Sequence, residues 1–265
     1  MSKRLEGKVC IVTGAGSGMG RACAVEMARE GGKVVVTDVN AKAGDETLQL
    51  IRAEGGEAAY IGCDLRDSTQ IAALMAHAAE RFGGIDVLHN NAAVHETDLT
   101  DKTSIEELSE EVWDLVMQVN LRAVWLTTKH AVPYLKRSSA AAIVNVASTG
   151  SFVAYPMAGV YCASKGGVLQ LTKATAVDLA KFDIRCNCYC PGAIDTPMLQ
   201  KYFDAAEDKQ AIMSVLTGAH LIPRLGRPDE IAKMACFLAS TDSSFITGAA
   251  YVIDGGTLAW RGTRA

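Results

Sequence analysis

The sequence lacks an excess of positive charge and lacks any long hydrophobic run. Lys and Arg number 26 against 30 Asp and Glu, so the formal net charge is −4. Nucleic-acid-binding domains usually carry a basic patch or stripe, and this balance therefore predicts no nucleic-acid partner. No apolar run approaches the roughly 20 residues that a membrane-spanning helix needs, and the amino-terminal segment has no signal-peptide pattern. We expect a cytoplasmic protein with no membrane partner.

A disulfide framework and a metal centre are also missing from the pattern of the eight cysteines. Cys186, Cys188 and Cys190 alternate along one apolar segment, so on a strand they would share one face. No histidine lies nearby in sequence to complete a zinc site, which usually needs four ligands. Because cysteine packs as a small hydrophobe, we predict that these three belong to the core and that the protein holds no metal.

Short β-branched runs alternate with helical periodicity along the whole chain. Strands are predicted near 9–12, 33–37, 58–61, 87–89, 143–146, 184–190 and 250–253. Helices are predicted near 18–30, 41–54, 68–82, 109–136, 161–182 and 228–239. Strands this apolar are typical of a parallel sheet that is covered on both faces. The sequence therefore predicts an α/β fold, a Rossmann-like doubly wound parallel sheet of about seven strands, as a single domain over 1–265.

Two connections exceed ordinary loop length. The segment 93–108 is polar and acidic, whereas 193–227 holds Pro197 and Pro223 on either side of a possible helical piece, with Pro228 directly after it. Long connections in compact α/β proteins often act as lids or binding loops. We predict that 193–227 is a substrate-binding loop that covers the site.

A glycine-rich turn joins the first predicted strand to the first predicted helix. Gly14, Gly18 and Gly20 are spaced as Gly-x-x-x-Gly-x-Gly. Side-chain-free backbone beside a helix amino terminus is typical of a site for a phosphate group. Asp38 ends the second strand, where its carboxylate would accept hydrogen bonds from the adenosine ribose and repel a 2′-phosphate. The turn and Asp38 together favour NAD over NADP, unless Asp38 merely caps the next helix.

Tyr161 and Lys165 are four residues apart in a predicted helix, which places the phenol and the ammonium on one face. A free tyrosine has a pKa of roughly 10 and is a poor base at neutral pH. A neighbouring positive charge favours the phenolate, so we predict that Lys165 lowers the pKa of Tyr161. The phenol would then take a proton from an alcohol as its hydride leaves, or return one to a carbonyl.

These features resemble the short-chain dehydrogenase/reductase family in its classical form, and the resemblance covers nearly the whole chain. Eight elements that carry it lie in the family's order: Thr13-Gly14-x-x-x-Gly18-x-Gly20, Cys63-Asp64-Leu65, Asn90-Asn91-Ala92-Ala93, Asn120, Ser148, Tyr161-x-x-x-Lys165, Pro191-Gly192 and Asp254-Gly255-Gly256. One departure is Ala93, which stands where the family commonly has glycine.

The resemblance implies a role for each matching residue. Tyr161 looks like the catalytic acid/base, and Lys165 would also hold the nicotinamide ribose. Ser148 would hydrogen-bond the substrate oxygen, and Asn120 would anchor a water that links Lys165 to solvent. Asp64 would reach the adenine. The resemblance places further cofactor contacts, besides the glycines, at Ser17, Met19, Leu65, Asn91, Ala92, Tyr161, Pro191, Gly192, Ile194 and Thr196.

Candidate substrate-binding residues are mostly apolar, and no cluster of arginines is present to clamp a carboxylate or phosphate. Besides Ser148 and Tyr161 they are His95, Val153, Tyr155, Met157, Met198, Leu199, Tyr202 and Phe203. The sequence thus favours NAD-dependent hydride transfer to or from a small or cyclic, uncharged secondary alcohol or ketone. Alternatives are an NADPH-dependent 3-oxoacyl-thioester reductase, a sugar or polyol dehydrogenase, and a non-catalytic nucleotide-binding scaffold.

The predicted helix over 109–136 is apolar on more than one stripe, so a second face is available for another subunit. The family resemblance suggests a homotetramer built on this helix and the next one.

Overall fold

The computed structural model describes residues 3–204 and 208–260. Its strands are all parallel and form one sheet in the order β3-β2-β1-β4-β5-β6-β7. The predicted doubly wound α/β sheet is confirmed. The strands are β1 (Val9–Thr13), β2 (Lys33–Thr37), β3 (Ala58–Tyr60), β4 (Val87–Asn90), β5 (Ala142–Val146), β6 (Arg185–Pro191) and β7 (Ala250–Ile253).

Helices connect the strands and cover both faces of the sheet. They are α1 (Gly18–Arg29), α2 (Ala41–Ala53), α3 (Ser68–Phe82), α4 (Glu110–Met117), α5 (Ala123–Leu135), α6 (Gly159–Leu179), α7 (Pro197–Asp204), α8 (Lys209–Gly218) and α9 (Pro228–Ala239). The long connection 193–227 thus contains α7 and α8. Within the described ranges, no helix is both long enough and apolar enough to cross a membrane.

Alternate residues of a strand pack into two separate hydrophobic cores, one on each face of the sheet. Cys10 and Val12 of β1 pack with residues of α1, α2 and α9 on one face of the sheet. Ile11, between them, packs with residues of α3, α5 and α6 on the other face. This alternation is the two-residue period of a strand, and it explains why β1 is apolar at each position from Val9 to Val12.

The three closely spaced cysteines lie in β6, and Cys186, Cys188 and Cys190 are all buried with free thiols. Cys186 packs among the apolar residues under α3 and α5, whereas Cys188 and Cys190 pack against Val124 and Val168. Their predicted place in the core is confirmed.

One predicted helix is divided in the structure. The segment 109–136 was expected to form a single helix, but a turn of π-helix, Gln118–Arg122, separates α4 from α5. Such a turn contains one residue more than an α-helical turn and commonly occurs at functional sites. Its central residue, Asn120, is fully buried, and its side chain hydrogen-bonds to Val94 and Ser164, which lie outside the turn.

The order of the strands opens a crevice above β1 and β4. β1 pairs with β2 on one side and with β4 on the other, so the chain proceeds in opposite directions from the two central strands. In open α/β sheets, ligands bind at this switch point, outside the carboxyl ends of the strands.

Candidate active site

A cavity of about 450 Å³ lies at this switch point. The glycine turn after β1, Asp38 after β2, and the Asn91-Ala92 pair after β4 all contribute to its wall. Tyr161 and Lys165 of α6 contribute as well, as do Thr196 and Met198 of the long connection. The topology therefore brings together groups that lie up to 184 positions apart in the chain, from Gly14 to Met198.

The glycine turn requires glycine for two physical reasons. Gly14 has a φ of +62°, which is unfavourable for other residues, and a Cβ there would lie 2.8 Å from Cα of Ala92. A Cβ on Gly20 would collide with the carbonyl oxygen of Gly14. The side-chain amide of Asn91 donates to the carbonyl oxygens of Thr13, at 3.0 Å, and of Gly14, at 3.2 Å. The turn is thus held against β4, with backbone exposed at the amino terminus of α1.

Asp38 is fixed at the end of β2 by main-chain donors. Its two carboxylate oxygens accept hydrogen bonds from the backbone N–H groups of Gly16 and Asn40, each at 2.9 Å. The cap of α2 is Asn40, whose side chain accepts from Ala43 N–H at 3.1 Å. The alternative that Asp38 caps this helix is therefore wrong, because Asp38 instead ties the glycine turn to β2 and lines the cavity.

Tyr161 lies in the first turn of α6 and Lys165 lies one turn later. The Lys165 ammonium is buried, donates to the carbonyl oxygen of Val146 at 2.8 Å, and lies 5.7 Å from the centre of the phenol ring. Ser148 follows β5, and its hydroxyl lies close enough to the Tyr161 side chain to oppose a rise in the pKa of the phenol. The predicted neighbourhood of these three residues is what the structure shows.

The predicted pKa shift of Tyr161 has the opposite direction in the structure. Burial raises the pKa of Tyr161 to about 12, because desolvation of the phenolate outweighs the opposing hydrogen bond from Ser148. Burial also lowers the pKa of Lys165 to about 8. The prediction considered only the helical spacing of the pair, whereas desolvation of both groups is the larger effect here.

Asn120 ties the segment after β4 to α6. Its side-chain amide accepts from Val94 N–H and donates to the Val94 carbonyl oxygen, both at 2.8 Å. It also donates to the Ser164 hydroxyl at 3.1 Å, and that hydroxyl donates to the carbonyl oxygen of Tyr161 at 2.7 Å. Asn120 is therefore linked to the main chain of Tyr161 through the Ser164 hydroxyl.

A family model described as Enoyl-(Acyl carrier protein) reductase matches residues 14–257. Cyclohexanol dehydrogenase of Acinetobacter sp. (strain SE19) is 39% identical over 255 residues, which cover 96% of each chain. The 3-oxoacyl-(acyl-carrier-protein) reductase of Thermotoga maritima is 37% identical over 253 residues, or 96% of this chain and 98% of that protein. Among solved structures, ligand-free aldohexose dehydrogenase of Thermoplasma acidophilum matches with a TM-score of 0.88 and 33% identity, over 100% of this chain and 98% of that chain.

The chain belongs to the short-chain dehydrogenase/reductase family. The predicted enzyme class, a dehydrogenase/reductase that acts on CH–OH groups with a nicotinamide cofactor, is confirmed.

Several residues that the resemblance selected lie outside the lining of the large cavity in this short-chain dehydrogenase/reductase. Pro191 ends β6 and Gly192 packs against Asp254. Ile194 is buried and faces a smaller cavity of about 120 Å³. By contrast, the sequence-selected residues in the lining, besides those named above, are Ser17, Gly18, Met19, Gly20, Asp64 and Leu65.

Only some of the residues that were predicted to bind the substrate line the cavity. Met198 lines the cavity. Val153, Tyr155 and Met157 lie outside its lining with 44%, 39% and 50% of their surface exposed, and the Tyr155 hydroxyl donates to Thr149 at 2.5 Å. His95 packs its ring against that of Tyr161, with 4.6 Å between ring centres. The side chains of Tyr202 and Phe203 fall outside the described part of the chain.

Two functional candidates were missed by sequence reasoning. Thr13 accepts at its hydroxyl from the N–H groups of Asn91 and Ala92, and so fixes the end of β4. Glu96, within the acidic segment 93–108, is fully buried and hydrogen-bonds to the amino terminus of α6. Thr13 belonged to the glycine motif and was available as a signal, whereas nothing in the sequence distinguished Glu96 from its exposed acidic neighbours.

Proposed function

We propose that the protein is an NAD-dependent dehydrogenase that interconverts an uncharged secondary alcohol, small or cyclic, and its ketone. The observation that carries this proposal is that Tyr161 shares one cavity with Lys165, the glycine turn and Asp38.

The residues of the cavity fit a nicotinamide dinucleotide. Bare backbone at Gly14 and Gly18, followed by the amino terminus of α1, suits a pyrophosphate. The Asp38 carboxylate suits the hydroxyls of the adenosine ribose, and Lys165 suits those of the nicotinamide ribose. The nicotinamide itself would accept a hydride in oxidation and supply one in reduction. Other residues of the cavity lining that would contact the cofactor are Ser17, Met19, Gly20, Asp64, Leu65, Asn91, Ala92 and Thr196.

Tyr161 supplies the acid/base chemistry of the proposal. Its phenol donates a proton to the carbonyl oxygen during reduction and takes the hydroxyl proton during oxidation. The Ser148 hydroxyl orients the same substrate oxygen and stabilises the charge that develops on it. Asn120 holds α6 in place through Ser164 and Val94.

Changing Tyr161 to Phe tests this role. General acid/base groups typically contribute about 10² to 10⁴ in rate, so kcat should fall by at least about 100-fold. The dissociation constant for NAD should change little, because phenylalanine keeps the aromatic ring of this cavity-lining residue. Turnover near the wild-type rate would refute the assignment.

The preference for NAD rests on charge at the adenosine end. Asp38 places a carboxylate there, and the two nearby arginines are already paired with acids: Arg21 with Glu46 at 3.0 Å and Arg66 with Asp64 at 2.6 Å. A 2′-phosphate would therefore meet a negative charge without a free cation supplied by either arginine.

The coenzyme assay compares kcat/KM for NAD and NADP in the wild type and in Asp38→Ala. We expect the wild type to prefer NAD and the variant to lose most of that preference. A wild type that prefers NADP would refute the charge argument, and it would favour the NADPH-dependent 3-oxoacyl-thioester reductase, an activity named for a relative that is 37% identical.

The apolar character of the side chains on the substrate side supports a neutral substrate. Met198 lines the cavity, and Val153 and Met157 expose apolar surface on the segment between Ser148 and Tyr161. A relative of 39% identity is named for a cyclic secondary alcohol. A panel of cyclic and short-chain secondary alcohols, with a hexose and a polyol for comparison, should show turnover with the neutral alcohols by NADH absorbance. Turnover of the hexose alone would refute the substrate class.

We also propose that the protein assembles as a homotetramer. Trp125 of α5 and Val177 of α6 expose 47% and 76% of their surface on the outer side of the molecule, and burial of such side chains favours association. Light scattering that gives the mass of one chain at micromolar concentration would refute this proposal.

A further inference from the structure

Glu96 is an unusual residue for its position in the chain. It lies in a segment that is otherwise polar and largely exposed, yet its side chain has 0% exposure. Transfer of a carboxylate out of water is costly unless the group is paired or hydrogen-bonded. The contacts of Glu96 therefore indicate what offsets that cost.

One carboxylate oxygen of Glu96 binds the first turn of α6. Oε1 accepts hydrogen bonds from the backbone N–H groups of Val160, at 3.1 Å, and of Tyr161, at 3.3 Å. These are among the N–H groups that a helix leaves without an internal partner. The residue in the cap position, Ala158, has no side chain that can accept them. Glu96 thus caps the catalytic helix from a distant part of the chain, where a negative charge also favours the helix dipole.

The other oxygen points to His95. Oε2 has no hydrogen-bond partner among the described residues, and its neighbour is Nδ1 of His95 at 3.3 Å. The His95 ring packs on the Tyr161 ring with an interplanar angle of 31°. Burial lowers the pKa of His95, although Glu96 and Asp98 oppose the shift. At neutral pH His95 is therefore a neutral ring that bounds the phenol on one side.

The main chain of Tyr161 is consequently held at both of its polar groups. Glu96 accepts from its N–H, and the Ser164 hydroxyl donates to its carbonyl oxygen. Ser164 is bound by Asn120, which also binds both polar groups of Val94, two residues before Glu96. These hydrogen bonds form a continuous network around the main chain of Tyr161. Glu96 supplies the only ionisable carboxylate of this network.

We propose that Glu96 is a positioning residue that fixes the direction of the Tyr161 phenol, through the first turn of α6 and through the His95 ring. The proposal rests on the assignment of Tyr161 as the acid/base in the proposed function. Local capping alone does not require a buried carboxylate, because a serine or aspartate at position 158 would serve a helix amino terminus. A distant carboxylate has the additional effect of locking the segment that carries His95 onto the helix that carries Tyr161.

The test compares Glu96→Ala and Glu96→Gln with Glu106→Ala, a matched control on an exposed glutamate of the same segment. Cyclohexanol and NAD are the probes for kcat and KM, or another alcohol from the panel if that one is turned over faster. The dissociation constant for NAD is measured separately. Hydrogen exchange over residues 158–164 reports on the cap without any need for turnover.

Glu96→Ala should lower kcat by about 10- to 100-fold, the scale expected when a reacting group is misplaced by about 1 Å. The dissociation constant for NAD should stay within about twofold, since Glu96 is not part of the cavity lining, and amide exchange in 158–164 should accelerate. Glu96→Gln retains an acceptor for the two N–H groups and should recover most of kcat. Glu106→Ala should leave all three quantities unchanged.

Three results would overturn the proposal. They are a Glu96→Ala protein that keeps wild-type kcat, equal losses in Glu96→Ala and the control, and unchanged exchange in 158–164. If Glu96→Ala does not fold, Glu96→Gln and His95→Ala carry the test, and wild-type kcat in His95→Ala would contradict the role of the ring. A wild type inactive on the whole panel would instead be a failure of the proposed function, and the exchange data would still decide whether Glu96 holds the turn.

Discussion

Acid should destabilise this fold through His89, a histidine that the proposed chemistry does not use. His89 lies in β4 with 0% exposure, its Nε2 is 2.8 Å from the Tyr189 hydroxyl, and its Nδ1 has no hydrogen-bond partner among the described residues. Burial lowers the pKa of His89 from 6.5 to about 3. The folded state therefore binds the proton on His89 more weakly than the unfolded state does. The stability that neutral His89 contributes is complete above about pH 6.5 and is lost as the pH falls towards 3.

The magnitude follows from the size of this shift. One pKa unit corresponds to about 1.4 kcal/mol, so the shift from 6.5 to about 3 represents roughly 5 kcal/mol over the whole window. Between about pH 7 and pH 5 the same linkage removes about 2 kcal/mol, which is a substantial part of the 5–15 kcal/mol that stabilises a typical native protein.

The assay is urea denaturation at about pH 7 and pH 5, at one protein concentration, for the wild type, His89→Gln and His77→Gln. His77 is exposed and serves as the control. The informative quantity is the loss of unfolding free energy between the two pH values, because contributions of other groups cancel in the comparison. The loss should be about 2 kcal/mol smaller in His89→Gln than in the other two proteins. Equal losses in all three would refute the burial argument.

Two further predictions concern the nucleotide site. Gly14→Ala should weaken NAD binding at least about tenfold or lower stability by about 1–3 kcal/mol, because φ is +62° and the new Cβ would lie 2.8 Å from Ala92. The control Gly84→Ala, whose new Cβ meets nothing within 4 Å, should change neither quantity. Calorimetry measures both the NAD affinity and the stability. Lys165, whose pKa is lowered to about 8 by burial, should hold the ribose best below that pH, so the dissociation constant for NAD should rise through about pH 8 in the wild type, and the inflection should be missing in Lys165→Met.

Most of the fold was predictable because it depends on local patterns. β-branched runs such as Val34-Val35-Val36 identify buried parallel strands, and each predicted strand is found within a few residues of its expected bounds. The π-turn was not predictable from periodicity. Its central residue, Asn120, bonds to Val94 and Ser164, and those partners become neighbours only when the sheet and α6 are assembled.

The candidate site was predictable to the extent that its residues follow strand ends or share a helix turn. Tyr161 and Lys165 are neighbours by helix geometry alone, and Asp38 reaches the glycine turn because β1 and β2 are paired in register. Their pKa values depend instead on how much water the assembled fold excludes, which spacing does not report. Glu96 shows the same limit, since its burial arises from packing between segments 64 residues apart.

The two pKa shifts have a combined consequence for catalysis. Burial raises the pKa of Tyr161 to about 12 and lowers that of Lys165 to about 8, so at neutral pH the fold favours a neutral phenol beside a lysine that is still mostly protonated. A neutral phenol beside Ser148 is already in the state needed to donate a proton to a carbonyl. Removal of a proton from an alcohol requires the phenolate, which positive charge near the ring stabilises. An oxidised nicotinamide would bring such a charge, and a reduced one would not. In the proposed reaction the pKa of Tyr161 would therefore be lower during oxidation of the alcohol, which needs the phenolate, than during reduction of the ketone, which needs the phenol.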